Sequence, residues 1–341
     1  MSSLAIRRGR LRPWVLASLF VVLVLVSTGA LVVGRYPLAL SDLIAAFTAP
    51  ITGTETPAVV DSVVFGLRLP RVALALLVGA GLACAGAAFQ SLFSNPLATP
   101  DTLGVTAGSS VGAVLALVIG LPMLGVQLAA LAFGIGAVLL TSAVAKTRGR
   151  SSVVMLILSG VVVSAIANAV LSILKYTADP NDKLPQITYW LLGSLSGAST
   201  TGLLIGAPLI VAGIIVIVLL RWRLNVLALS EDEARASGLN IRRIRGIVIV
   251  AATVITAACV SMCGQVGWVG LLIPHCARMI CGNNNRFIVP VSVLLGATFV
   301  VVIDTLARSI SASEIPISVL TAVVGAPFFI VLLRKTGGSW S

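Results

Sequence analysis

The sequence predicts an all-α polytopic membrane protein with about ten transmembrane helices. Hydrophobic residues make up 58% of its 341 residues, and charged residues only 10%. Apolar runs of about 20 residues recur along the whole length, and a helix of that length crosses a bilayer. These runs lack the alternating pattern of barrel strands, so only helices can satisfy their backbone groups in lipid.

Each predicted span is an apolar run bounded by charge, glycine or proline. Several of the runs are short or interrupted by Gly and Pro. The spans are predicted near 14–33, 72–92, 103–120, 122–144, 152–174, 202–220, 246–264, 270–282, 288–306 and 317–333.

The distribution of basic residues predicts the orientation. With ten spans and both termini in the cytoplasm, the inner segments hold 17 of the 23 Lys and Arg residues. This bias is what the positive-inside rule requires. The net charge of +12 therefore reports topology, and we expect no nucleic-acid partner. A single transmembrane domain is expected over 1–341, with outer loops 34–71 and 175–200 and an inner charged segment, 221–245.

The sequence favours neither a cleaved signal peptide nor a cysteine metal site. The apolar run after the first arginines is too long for a signal peptide, so we expect an uncleaved first span. The five cysteines lie in or beside apolar segments without metal-ligand spacing, so they are interpreted as small buried hydrophobes and no metal site is expected.

Two units of the chain resemble each other weakly. Segments beginning at Arg71 and Arg245 each run through about 20 apolar residues to a Gly/Pro break, and the two units start on opposite sides. This predicts an inverted repeat of the second-to-fifth and seventh-to-tenth spans, an arrangement common in transporters. Gly104, Gly108 and Gly112 form a smooth helix ridge, which fits either packing within the subunit or a pathway or subunit seam.

The charged inner segment 221–245 is the most distinctive part of the chain. Nine of its 25 residues are charged. Residues 226–239 can form one or two short helices, with Ser230 as a plausible N-cap and Gly238 as a stop signal. The small Ala234 lets such a helix sit in a groove of another protein. A solvated loop helix with Glu231–Arg235 pairing is the alternative from residues alone.

Four stretches then carry a family resemblance that covers almost the whole chain in order. They include R-x-P-R…Q…NPLA-x-P…LG at 68–104, G-x-x-G-x-x-x-P-H-x-x-R at 267–278 and D-x-x-A-R…E-x-P at 304–316, together with LNVLALSEDEARASGL at 224–239. The chain resembles the permease subunits of ABC importers for iron–siderophore complexes, haem and cobalamin, the type II importers. It departs from the family's usual Gly at Ser230, Phe at Trp268 and Asp-His at Asn284-Asn285.

The resemblance implies an assembly in the bacterial cytoplasmic (inner) membrane. A second permease subunit, identical or paralogous, would complete the pathway in the lipid bilayer, with two cytoplasmic ATPase subunits and an extracytoplasmic substrate-binding protein. No GxxxxGK[ST] motif occurs in the chain, so ATP and Mg are expected on the partner ATPase. We expect no cofactor on this chain and no enzyme activity of its own.

The resemblance also assigns candidate site residues. Residues expected to contact the ATPase are Leu227, Ser230, Glu231, Glu233, Ala234 and Gly238. Outward arginines expected to dock the binding protein are Arg68, Arg71 and Arg308, for which interfacial anchoring is the alternative. Gate or pathway candidates are Gln90, Asn95, Pro96 and Leu97, for which a structural kink or helix-to-helix bonding is the alternative.

The expected function is translocation of a metal-chelate nutrient, with iron–siderophore as the first choice and haem or cobalamin as alternatives. An ion-coupled secondary transporter also fits inverted repeats and broken helices. Such a carrier usually needs an ionisable group at the midplane, and the sequence places none deep in a span. An intramembrane enzyme is disfavoured because GxSxG, HExxH and paired intramembrane carboxylates do not occur.

Overall fold

A computed structural model describes most of the chain, including every predicted span. The described residues are 6–7, 10–53, 55–146, 153–227, 229, 238–311 and 314–336. Two short strands, Ile6–Arg7 and Arg10–Leu11, pair antiparallel before the first helix.

Thirteen helices account for most of these described residues. In chain order, α1 to α13 are Pro13–Val32, Leu40–Thr52, Ala58–Leu92, Val105–Val118, Met123–Val144, Val153–Thr177, Lys183–Leu192, Thr200–Leu220, Leu224–Leu227, Ile241–Cys263, Val269–Cys281, Asn285–Ile310 and Ile317–Thr336. Within α3, residues Ser62–Arg68 are wound as a π-helix, and a short 3₁₀ turn, Pro100–Leu103, precedes α4.

Every predicted span coincides with one of these helices, which confirms the polytopic all-α class. Seven helices of the described chain are long and apolar enough to cross a membrane: α1, α3, α5, α6, α8, α10 and α12. The remaining predicted spans coincide with α4, α11 and α13, whose apolar stretches are shorter. The number of crossings and the inverted repeat stay predictions, since helix length alone tests neither.

Helix α3 lies at the centre of the bundle and packs against α8, α10, α11 and α12. Most of it is buried, whereas α1 and α6 are largely exposed along their apolar faces. Its sequence VGAGLACAGAA explains this position, because lipid gives no hydrophobic drive for helix association and small residues permit close backbone packing.

Two glycine pairs set how closely the neighbouring helices approach α3. A Cβ added at Gly79 would lie 2.1 Å from the carbonyl oxygen of Gly296 in α12. A Cβ at Gly86 would lie 2.0 Å from the carbonyl oxygen of Gly270 in α11. Each contact is between backbones, so neither side can yield by a rotamer change.

A second cluster is formed by α4, α5 and α6. Here Gly108 and Gly112 of the predicted glycine ridge face α5: added Cβ atoms would lie 2.4 Å from Ala137 Cβ and from the carbonyl oxygen of Ala129, respectively. Gly104 does not continue the ridge, because it precedes α4 with a φ of +81° and faces Ser164 of α6. Of the two interpretations of the ridge, packing within the subunit is the one that these contacts support.

The residues that follow α7 bond to α10 and α13 at one end of the bundle. The backbone NH of Ser194 donates to the Cys263 carbonyl at 2.9 Å, and the Ile317 NH donates to the Gly193 carbonyl at 3.1 Å. Gly193 needs to be glycine, because its φ is +73° and a Cβ would lie 2.2 Å from the Gln265 carbonyl oxygen. Residues 189–195, which include Trp190, thus join the end of α10 to the start of α13.

The glycine contacts predict a large stability difference between two Gly→Ala substitutions. Gly86→Ala should lower the melting temperature of the purified protein, because the new methyl group overpacks against backbone, at a cost of about 1–3 kcal/mol. Gly29→Ala in α1 is the matched control, since a Cβ there meets nothing within 4 Å and alanine favours helix. Equal melting temperatures for the two variants would contradict the close approach of α3 and α11.

Candidate coupling, gate and docking sites

The predicted docking arginines lie in one charged cluster, which we call the outer cluster: Arg68, Arg71, Asp304, Arg308 and Glu314. Arg71 is its centre. Its Nε lies 3.0 Å from both carboxylate oxygens of Asp304, and its Nη1 lies 2.8 Å from Oε1 of Glu314. Its Nη2 donates to both acids, at 2.9 Å each. One guanidinium therefore ties α3 to α12 and to the α12–α13 loop.

Arg68 and Arg308 hold the end of α1. Arg68 Nη1 donates to the carbonyls of Leu31 and Val32, at 2.6 and 2.7 Å, and its Nη2 donates to the carbonyl of Tyr36. Arg308 Nη2 donates to the carbonyl of Ala30, one residue before Leu31. The last carbonyls of a helix have no intrahelical partner and carry its negative dipole end, so cations stabilise them.

This placement differs from the outward orientation predicted for docking. The side chains of Arg68 and Arg308 are buried, with 5% and 7% relative exposure of the residues, because they cap a helix instead of meeting solvent. Asp304 does pair with Arg308, but its Oδ2 lies 3.7 Å from Arg308 Nε and its closer contacts are to Arg71. Docking through Arg68 or Arg308 would require these contacts to open, and it stays a prediction.

The pKa of Glu314 is lowered chiefly by its hydrogen bonds with Arg71, with further Coulombic contributions from Arg71, Arg35 and Arg308. These outweigh partial burial, which acts in the opposite direction. Glu314 is therefore held in its charged form. It is the acid of the outer cluster that lies in a loop rather than in a membrane helix.

At the other end of α3, Gln90 bonds between helices. Its Nε2 lies 3.3 and 3.2 Å from the carbonyls of Gly270 and Leu271, and its Oε1 accepts from Arg278 Nη1. Gln90 is only 2% exposed. Of the two interpretations of Gln90, these bonds support attachment of α11 to α3. Arg278 was not among the predicted site residues, although its position in the P-H-x-x-R motif could have indicated it.

Asn95, Pro96 and Leu97 form the turn that ends α3. The Asn95 carbonyl side chain accepts from the Leu97 NH at 2.8 Å, and the preceding Ser94 has a φ of +47°. Asn95 and Leu97 are exposed at this turn, which is the non-helical break that the sequence predicts. Whether the turn gates a pathway stays a prediction.

Only the two edges of the predicted ATPase-contacting segment lie in the described residues. Leu227 is buried at the end of α9, and Gly238 is an exposed turn residue with a φ of +72°. The positive φ agrees with the predicted helix stop. Ser230, Glu231, Glu233 and Ala234 lie outside the described residues.

Three asparagines and a serine join α9 to α12 and α3, and we call this set the amide relay. Asn225 Nδ2 donates to Asn284 Oδ1 at 3.0 Å, and its Oδ1 accepts from the Asn285 NH at 2.8 Å. Asn285 Oδ1 in turn accepts from the Ser91 hydroxyl at 2.8 Å. The relay thus runs from Asn225, near the start of the charged segment 221–245, to Ser91 at the end of α3, four residues before Asn95.

A cavity of about 370 Å³ lies near α7, at the opposite end of the bundle from the amide relay. Its polar edge includes three mutually bonded hydroxyls, those of Tyr189, Ser194 and Ser196, at 2.8–3.2 Å. Gln127 also faces it. These neutral groups can donate and accept hydrogen bonds without adding charge.

The sequence of the chain is similar to those of known transport proteins. The model of the FecCD transport family matches residues 19–335. The chain belongs to the FecCD transport family. It is 40% identical to the molybdate import system permease protein MolB of Haemophilus influenzae, over 95% of this chain and 96% of that protein. It is also 40% identical to a probable iron chelatin transport permease of Helicobacter pylori, over 81% and 83%.

The structural comparison agrees with the family. A solved structure of a metal-chelate type ABC transporter in an inward-facing conformation matches with a TM-score of 0.86 and 38% identity, over 95% of this chain and 100% of that one. Names of other similar permeases mention cobalamin and hemin. As an ABC transporter permease, the protein is a transport component and not an enzyme.

The lowered pKa of Glu314 predicts an acid-sensitive contribution to stability. A carboxyl whose pKa is lower when folded stabilises the protein above its unfolded pKa, and this contribution is lost as pH falls through the folded value. The melting-temperature difference between the wild type and Glu314→Gln should be full at neutral pH and shrink in acid. Glu55→Gln, the same substitution at an exposed loop residue, is the matched control and should leave the melting temperature nearly unchanged. A difference independent of pH would contradict the Arg71–Glu314 ion pair.

Proposed function

We propose that the protein is the passive, membrane-spanning half of an importer, which changes shape when separate ATPase subunits act on segment 221–245. The observation that carries this proposal is the family match over residues 19–335, on a chain without a phosphate-binding loop motif. The partners would be a second permease subunit, two cytoplasmic ATPases and an extracytoplasmic binding protein. Its place in the inner membrane, with both termini cytoplasmic, is supported by the distribution of basic residues.

The cargo we first propose is an iron–siderophore complex, as the family resemblance suggests and as the iron chelatin relative supports. Molybdate is a second candidate, because the relative named for it matches nearly the whole of both chains. Haem and cobalamin remain alternatives within the family. A small oxyanion could bind at the hydroxyl-bearing edge of the cavity near α7, whereas a large chelate needs a pathway between two subunits.

A reconstitution experiment tests both the mechanism and the cargo. The permease, its ATPase and its binding protein would be placed in vesicles with radiolabelled ferric siderophore or radiolabelled molybdate. We expect uptake to require ATP and the binding protein, and to favour one of the two labels. Preference for molybdate would replace the iron proposal. Uptake by the permease alone, driven by a proton or sodium gradient, would instead support the ion-coupled alternative.

We further propose that the amide relay transmits motion from the ATPase side to the gate. Asn225 immediately precedes the segment that the resemblance assigns to ATPase contact. Through Asn285 it is bonded to Ser91, one turn before the Asn95–Leu97 break. A displacement of α9 is thereby coupled to the N-terminus of α12 and to the end of α3 by directional bonds, and packed helices move as rigid elements between discrete arrangements.

This relay predicts an uncoupled phenotype. Asn225→Leu should retain ATPase assembly and ATP hydrolysis but lose most uptake, because the leucine fills a similar volume without the two amide bonds. The ratio of cargo transported to ATP hydrolysed is the measurement. Asn168→Leu, on an exposed face of α6, is the matched control and should leave the ratio unchanged. A normal ratio in Asn225→Leu would show that the relay is only structural.

A further inference from the structure

A long apolar groove runs between α8 and α10, away from the gate and the outer cluster. Its volume is about 500 Å³, and its walls include Leu209, Val216, Val250 and Val254. Almost all of the lining is carbon. Two consecutive arginines, 242 and 243, border one end of the groove.

The middle of the groove is open because of a single glycine. Gly246 lies on the groove, and a Cβ added there meets no atom of the protein within 4 Å. Gly213, on the opposite wall, is different: a Cβ there would lie 2.4 Å from Ile255 Cγ1, so this glycine brings α8 close to α10 below the groove. The two helices are thus tightly packed, and the groove is a surface channel over their contact.

The dimensions of the groove match one lipid leaflet. Eleven residues of α10 separate Arg243 from Val254, and at 1.5 Å per residue they span about 16 Å. This is close to half of the ~30 Å hydrocarbon thickness of a bilayer. The arginine end is the inner end by the distribution of basic residues, so the groove extends from the inner headgroup level to about the midplane.

We propose that this groove binds an anionic phospholipid of the inner leaflet, with one acyl chain along α10 and its phosphate beside Arg243. Basic pockets between membrane helices on the cytoplasmic side have the chemistry for such headgroups. No acidic side chain is among the described residues that line the groove. A second copy of the chain would fit less well, because an apolar helix face would bury the arginine charges without a counter-charge.

The site lies beside the predicted coupling segment, and its occupancy does not depend on which cargo is transported. Because α10 begins at Ile241, three residues after Gly238, a lipid held at Arg243 fixes the membrane end of that segment. The site concerns lipid binding by the permease itself and can be tested without cargo, ATPase or binding protein. Its failure would therefore leave the proposed transport function unaffected.

Native mass spectrometry of the detergent-solubilised protein tests the site. The protein would be titrated with phosphatidylglycerol and phosphatidylcholine of identical acyl chains. We expect preferential retention of phosphatidylglycerol, and a fall in this preference of about fivefold in Arg243→Gln. Arg286→Gln, an exposed cation at the start of α12, is the charge control and should leave the preference unchanged.

A second variant separates the acyl chain from the headgroup. Gly246→Leu should fill the groove without a clash and abolish retention, whereas Gly136→Leu, at another glycine with open space in α5, should not. Equal retention of the two lipids by the wild type, or unchanged retention in Gly246→Leu, would overturn the proposal. So would displacement of the lipid by millimolar inorganic phosphate, which would show a free-anion site. A cross-link between Cys introduced at Val250 in two copies would show a subunit interface and overturn it as well.

Discussion

The close backbone packing of α3 is the constraint on which the other features depend. The helix is surrounded by four others, and Gly79 and Gly86 allow carbonyl groups of α12 and α11 to approach to distances that no side chain would permit. In lipid, such contacts replace the hydrophobic effect as the source of association. Since Arg71 lies about five turns before Gln90 and Ser91 in the same helix, α3 is a rigid connection between the outer cluster and the amide relay.

The outer cluster shows how charge is kept at the membrane boundary. A buried guanidinium is costly unless its donors are satisfied, and removing one partner of a buried pair costs more than the pair contributes. Arg71 uses two carboxylates, whereas Arg68 uses backbone carbonyls at the end of α1 and in the loop that follows it. The difference matters for docking: an acidic partner protein could compete with Glu314 for Arg71, but Arg68 would have to abandon a helix end.

The sequence predicts the spans well and the contacts poorly, for a physical reason. Apolar length is a local property, so the span expected at 202–220 is found at Thr200–Leu220. The start of α3 was expected at 72 and lies at Ala58, because Asp61 and Arg68 interrupt the apolar run but are tolerated within a helix. The bonds of Arg68 and of Asn225 join residues about 30 to 60 positions apart in the chain. No local sequence pattern encodes such bonds.

The chemistry of the amide relay suits a device that must work at any cellular pH. The family usually has Asp-His where this chain has Asn284 and Asn285, and a carboxylate or imidazole would change charge or shift its pKa as its surroundings moved. Amides and a hydroxyl keep their donors and acceptors through such a movement. The outer cluster, built from ions and containing Glu314, is by contrast sensitive to acid. The bonds of α3 thus differ in their chemistry: Ser91 is held by a neutral hydrogen bond, whereas Arg71 is held by ion pairs.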